Sequence, residues 1–277
     1  MEGKLMLKQR VITASTLAIL LLFALFVFPA SIWALLVTLL VMQGAREWGE
    51  LAKIRGLAYA AYLVVMLISF LVILLMHTIL HSHQQFPLKL IIYGSSVVFW
   101  ILLVPVWFKG NRKMLNPWLL ALAGWIVLIP AGLAMLDLRA AQPQPWWLLG
   151  VIGLVATADI SAYFAGRQFG KHKLAPGISP GKSWEGVAGA VVGVLIYVVW
   201  IVSATGVSNR NLLIVLAVIL VAMSVMGDLF ESAIKRQAGV KDSGNLLPGH
   251  GGLLDRIDAL TSTLPFAALA VLLMSHA

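Results

Sequence analysis

The sequence contains no cysteine, which excludes disulfides, thiolate metal sites and cysteine nucleophiles. Charge is nearly as scarce: 11% of the 277 residues are charged, against 61% hydrophobic, and the mean hydropathy is +0.95. A soluble globular domain carries about a quarter charged residues, so this composition excludes that class. Polar and apolar residues do not alternate within the long apolar runs, which excludes a closed transmembrane barrel. No internal repeat and no low-complexity segment interrupts the chain, and it reads as a single integral membrane domain over 1–277.

Uncharged runs of about 20 residues are what a helix needs to cross a hydrocarbon core of about 30 Å. They fall near 11–28, 31–50, 57–80, 88–107, 116–136, 146–165, 185–204, 211–236 and 255–275. The predicted fold class is an all-α polytopic membrane protein with about nine spans. The first run follows Lys4, Lys8 and Arg10 as a signal peptide would, but it lacks a small-x-small cleavage site and passes through Pro29 straight into another apolar run. It therefore reads as a spanning helix, paired with the second in a hairpin. Nine spans leave 17 of the 20 basic residues on one side and only Lys89, Arg139 and Arg210 on the other. The excess of basic residues on the cytoplasmic side places the N-terminus there. The net charge of +9 is mostly topological, spread over five short segments, and suits anionic lipids rather than a nucleic acid.

Carboxylates in or beside spans are costly and each needs a partner or a function. Asp159 lies in the sixth predicted span, Glu185 begins the seventh, Asp228 and Glu231 lie late in the eighth, and Asp255 and Asp258 open the ninth. The last four form two pairs at i,i+3, each on one helix face at the same cytoplasmic rim. Oxygen ligands of this kind suit Mg²⁺. Plain electrostatics is the competing reading: Glu231 pairs at i,i+4 with Lys235, and Asp255 and Asp258 offset a helix dipole. Asp228 has no basic residue at i+3 or i+4, and Asp159 is placed to orient Arg167.

Two long polar loops are expected at 166–184 and 237–254. The first contains Gly181-Lys182-Ser183 but is not a Walker A loop, because Pro176 stands where that motif needs glycine. It suits phosphate through a lysine charge and hydroxyls ahead of a helix, and equally suits a basic interfacial loop with Ser183 as helix cap. The second holds His250 among glycines. His77, His81 and His83 have metal-like spacing but are expected on the outer side without a carboxylate, and Trp107, Trp146 and Trp147 read as interface anchors.

Residues 228–258 contain Ser232-x-x-Lys235-Arg236, Lys241-Asp242 and Leu247-Pro248-Gly249-His250-Gly251-Gly252, followed by Asp255-Arg256-x-Asp258. This segment resembles the signature of the phosphatidate cytidylyltransferases, and Asp159 to Glu185 is similar to the nucleotide-binding region of that family. The resemblance covers roughly 155–262 and is weak before it, where Glu47-Trp48-Gly49 is similar to the family. Catalysis is accordingly expected in 146–277, with 1–140 carrying little visible chemistry.

The resemblance implies transfer of the cytidylyl group of CTP to phosphatidate at the cytoplasmic face of the inner (plasma) membrane. It implies a cation pair, Mg²⁺ and a second ion, on Asp228 and Asp255, with Glu231 and Asp258 beside them. Ser179, Lys182, Ser183, Arg167, Asp159 and Glu185 are expected around CTP, and Lys235, Arg236 and His250 around the phosphatidate headgroup or diphosphate. Membrane lipids are expected partners, a homodimer is compatible with the sequence, and a nucleic acid is not expected. A CTP-dependent enzyme acting on another lipid shares these features. A secondary transporter ranks below both, since it calls for midplane sites and repeated halves.

Overall fold

The computed structural model describes residues 15–16, 18–80, 82–109, 116–142, 144–206, 209–246 and 251–276, with the side chains of residues 82 and 83 excepted. The predicted first span lies partly outside these residues; its remainder forms α1, Ala18–Val27. Then follow α2 (Ala30–Leu51), α3 (Gly56–Ile79), α4 (Ser82–Val98), a π-helical turn (Phe99–Leu103), α5 (Val104–Lys109) and α6 (Pro117–Ala140). The second half comprises α7 (Trp146–Phe169), β1 (Lys173–Ala175), β2 (Ser179–Ser183), α8 (Trp184–Thr205), α9 (Arg210–Ala238) and α10 (Leu254–Met274). Among the described residues seven helical segments are long and apolar enough to cross a membrane, so the protein is an all-α, multi-pass membrane protein.

Most helix ends fall within the expected few residues. The exception is the fourth span, which begins at Ser82 rather than near 88 and runs on through the π turn to Lys109. Pro87 lies inside α4, where the helix continues despite the missing N–H, and so does not delimit it. Pro105 has no N–H for Ile101 and its ring presses on that carbonyl; the turn before it widens into π geometry. The polar loop expected at 166–184 starts later, at Gly170, and contains an antiparallel ribbon in which Lys173 pairs with Ser183 and Ala175 with Ser179.

α7 and α8 pack closely because small residues line their seam. A Cβ at Gly189 would collide with Ala165, and one at Gly193 with Ser161. Ile160, Phe164, Ile196 and Trp200 stay exposed on the outer faces of this pair, an apolar surface suited to lipid. On the other side, Phe230 of α9 is ringed by Trp48, Phe99, Trp100 and Trp107 at centroid distances of 5.3–6.2 Å. Trp107 is thus a packing residue rather than an interface anchor. The aromatic knot fastens α2, the π turn and α5 to α9 directly beside Asp228 and Glu231.

At the far end of the bundle, Asp137 of α6 accepts from Tyr93 at 2.7 Å and pairs with Lys89 at 2.9 Å and His77 at 2.7 Å. This corrects the expectation that His77 lacks a carboxylate; the partner is 60 residues away in sequence, on the end of another helix. His81 lies outside the described residues, as does the side chain of His83. His276, at the end of α10, meets Phe86 of α4 there, with ring centroids 4.2 Å apart. Lys89 and Arg139 therefore occupy the opposite end of the bundle from Asp255, separated along α10 by about 30 Å at 1.5 Å per residue.

Candidate active site

Four elements meet at the end of the bundle where α9 stops and α10 begins. β2 brings Lys182 to α9, where its Nζ lies 2.5 Å from Asp228 Oδ2. The pair joins segments 46 residues apart in sequence and explains how Asp228, with no basic neighbour on its own helix, is compensated. Ser232 donates to the other oxygen of Asp228 at 3.2 Å. Asp159 of α7 lies within Coulombic reach of Asp228 and Lys182, and so does Asp258 of α10. Arg167 donates to the Tyr163 hydroxyl at 3.3 Å, while Asp159 stands near Lys182 and its fellow carboxylate Asp228 rather than in the expected link with Arg167.

One turn further along α9, Lys235 bridges two carboxylates: Glu231 Oε1 at 3.1 Å and Asp255 Oδ1 at 2.6 Å. Glu231 and Asp255 are almost fully buried, with 5% of each side chain exposed. The remaining oxygen of Asp255 accepts from the backbone N–H of Ser243 at 2.8 Å, from that of Gly252 at 2.8 Å and from the Ser243 hydroxyl at 3.1 Å. The Gly252 bond is a reach-back from the first turn of α10 that ties down an otherwise orphaned donor. Asp228, by contrast, keeps a third of its side chain exposed.

The ribbon is anchored at its base. Ser183 is buried and caps α8, accepting from Gly186 N–H at 3.2 Å, and it sits against Gly166 and Gly170, where a Cβ would crowd it. Glu185, in the first turn of α8, pairs with His172 Nδ1 at 2.6 Å and accepts from the His172 N–H. These two residues hold the ribbon's ends, while Ser179 and Lys182 lie along β2 itself. Arg236 is exposed at the end of α9 and donates to Val240 O at 3.3 Å. His250 lies outside the described residues.

The sequence matches the model of the cytidylyltransferase family over residues 8–274. The chain belongs to the cytidylyltransferase family. It is 39% identical over 280 residues to a phosphatidate cytidylyltransferase of Haemophilus influenzae, covering 94% of this chain and 97% of that one. It is 40% identical to the protein of the same name from Pseudomonas aeruginosa, covering 95% and 97%. An uncharacterized Escherichia coli protein, YnbB, is 41% identical over 148 residues, or about half of each chain.

In this family member the donor set at the site is all hard oxygen, which fits a cation such as Mg²⁺ in chemical type. Among the described residues no group of three or more carboxylates or histidines is gathered at ligand spacing. Lysine ammoniums stand there instead, Lys182 on Asp228 and Lys235 on Asp255. Asp228, with Asp258 and Asp159 near it, is the more open ligand candidate; Asp255 already carries four donors.

Sequence reasoning missed Glu47 and Ser243, both buried beside Asp255. Glu47 was discoverable by the test that singled out Asp228, because it too is a carboxylate near a span with no basic residue at i+3 or i+4.

Proposed function

We propose that the protein transfers the cytidylyl group of CTP to phosphatidate, yielding CDP-diacylglycerol and diphosphate. The observation that carries this is the meeting of Lys182 on its ribbon with the Asp228 cluster at one end of the helices, which puts a phosphate-seeking cation and oxygen ligands within one site. Family membership and relatives named for this reaction support it. A phosphatidate oxygen attacks the α-phosphorus of CTP in line; the bond from that phosphorus to the bridging oxygen breaks, and diphosphate leaves with the electron pair. No proton needs to be removed, because the attacking phosphate is already anionic.

Lys182, Ser179 and Arg167 are assigned to the CTP phosphates, with Ser183 and Glu185 holding their ribbon in place. Asp228 and Asp258, with Asp159 close by and Asp255 behind Lys235, would hold Mg²⁺ and a second cation. A bound cation supplies charge neutralisation on the phosphates. Arg236 and His250 are assigned to the lipid headgroup or diphosphate, whereas Lys235, expected there from the sequence, is taken up by Glu231 and Asp255. Incubating the purified chain with radiolabelled CTP, phosphatidate in mixed micelles and Mg²⁺ should give a labelled lipid that co-migrates with CDP-diacylglycerol. Labelling of a different acceptor lipid in preference to phosphatidate would move the chain to the second reading, a CTP-dependent enzyme of other specificity.

Lys182→Met tests the nucleotide assignment. It should raise the KM for CTP by roughly tenfold or more, the loss of one charge-assisted contact, and leave the KM for phosphatidate nearly unchanged. Equal effects on both substrates would assign Lys182 to the structure of the Asp228 pair instead.

The site is proposed to face the cytoplasm of the inner membrane, with nine spans and a cytoplasmic N-terminus, from the asymmetry of basic residues. Single cysteines at Lys171 and His276, both exposed, are clean probes in a chain with no native cysteine. In oriented membranes Lys171→Cys should react only from the cytoplasmic side and His276→Cys only from the outer side. The reverse pattern, or both on one side, contradicts this topology.

A further inference from the structure

The buried carboxylate of Glu47 stands in the half of the chain with little visible chemistry, yet its contacts are at the site. It is 2% exposed, and four groups donate to it, all neutral. Oε1 accepts from Gln43 Nε2 at 2.9 Å and from the N–H of Leu253 at 2.8 Å; Oε2 accepts from the N–H of Leu254 at 2.9 Å and the Ser243 hydroxyl at 2.7 Å. Leu253 and Leu254 are the cap and first residues of α10, so their N–H groups are among those a helix leaves without internal partners. A negative charge there also meets the positive end of the helix dipole. α2 thus caps α10 from about 200 residues away in sequence.

The cap is coupled to Asp255 through one hydroxyl. Ser243 Oγ has a single proton and lies 2.7 Å from Glu47 Oε2 and 3.1 Å from Asp255 Oδ2. Its own N–H donates to Asp255, as does that of Gly252. The two carboxylates therefore share Ser243 and hold the backbone at 252–254 between them. The packing leaves no slack: a Cβ at Gly252 would strike both the Glu47 carboxylate and the Ser243 hydroxyl, and one at Gly244 would lie 3.2 Å from the Glu47 carboxylate.

We propose that Glu47, acting through Ser243 and the Leu253 and Leu254 amides, is a positioning residue for the reaction: it fixes where α10 begins and hence where Asp255 points. This rests on the catalytic reading of the α9–α10 site given above. A plain staple between α2 and the loop is the competing account. It predicts that any loss of activity follows loss of the folded protein.

Glu47→Gln keeps shape and one acceptor oxygen but turns an NH₂ group toward N–H and O–H donors. In the purified full-length chain, hydrogen exchange in peptides spanning 241–256 should rise about tenfold, with α7 and α8 peptides unchanged. kcat should fall about 10- to 100-fold, as for residues that orient a ligand from behind. KM for CTP should stay within about threefold, because the Lys182 ribbon is untouched. Ser243→Ala should give the same pattern more weakly, and the double variant should lose less than the product of the two single losses, since both act through one contact. Should Glu47→Gln not fold, Ser243→Ala carries the same three measurements. Unchanged kcat with faster exchange, or a kcat loss that tracks global unfolding, overturns the positioning role. Absence of product from the wild-type chain overturns the functional reading and leaves the exchange result to report on the cap alone.

Discussion

Asp228→Asn is expected to lower turnover on the order of 10²- to 10³-fold, the scale seen when a group that stabilises transition-state charge is removed. Two accounts of Asp228 diverge here. As one half of an ion pair with Lys182, with a third of its side chain exposed, it is worth about 0–1 kcal/mol, and losing it leaves turnover within roughly fivefold. As the open oxygen ligand of the proposed cation it is needed in every turnover. Asparagine keeps the shape and can still accept from Ser232, so folding should survive. The measurement is kcat over a range of Mg²⁺ concentrations in a preparation whose melting temperature matches wild type. Near-wild-type activity with unchanged Mg²⁺ dependence would remove Asp228 from the cation site and leave it as a tie for the ribbon.

Lys235→Met should show the largest loss of stability. Lys235 is buried and compensates Glu231 and Asp255, both nearly inaccessible to water, with Asp258 also within Coulombic reach of Glu231. Methionine matches the stem of lysine in length but leaves these carboxylates facing one another. Breaking a buried pair this way costs about 3–5 kcal/mol. At roughly 2–4 °C per kcal/mol for a chain of this order of size, the melting temperature in detergent should fall by about 6–20 °C. Lys235→Met combined with Glu231→Met should recover part of that loss, because replacing both partners removes one of the stranded charges. A melting temperature within about 2 °C of wild type for Lys235→Met would show that Lys235 is free to serve the lipid headgroup instead of the fold.

Asp228 and Lys235 both stand out in the linear sequence. A carboxylate in an apolar run is legible because solvation in lipid is so unfavourable that its presence demands a reason, and Asp159, Asp228, Glu231, Asp255 and Asp258 are conspicuous on that ground. The i,i+4 pair of Glu231 with Lys235 is legible because helix geometry fixes which neighbours meet. The same local rule is blind to Lys182 on Asp228 and to His77 on Asp137, since those partners come from other elements.

The sequence alone determined that the chain is a bundle of membrane helices, where most of them start and stop, and which end collects the carboxylates. These follow from hydrophobic run length and from helix periodicity, which need no tertiary contact. Only the tertiary structure decided which charges pair between one element and another. Glu47, assigned to a region without chemistry, became a cap for α10; the phosphate-like loop became a ribbon anchored by Ser183 and Glu185; Trp107 turned from the interface to the Phe230 knot. The Glu47 cap and the Trp107 contact depend on how helices far apart in sequence are arranged side by side, and nearly uniform apolar surfaces do not encode that arrangement in a pattern that can be read one helix at a time.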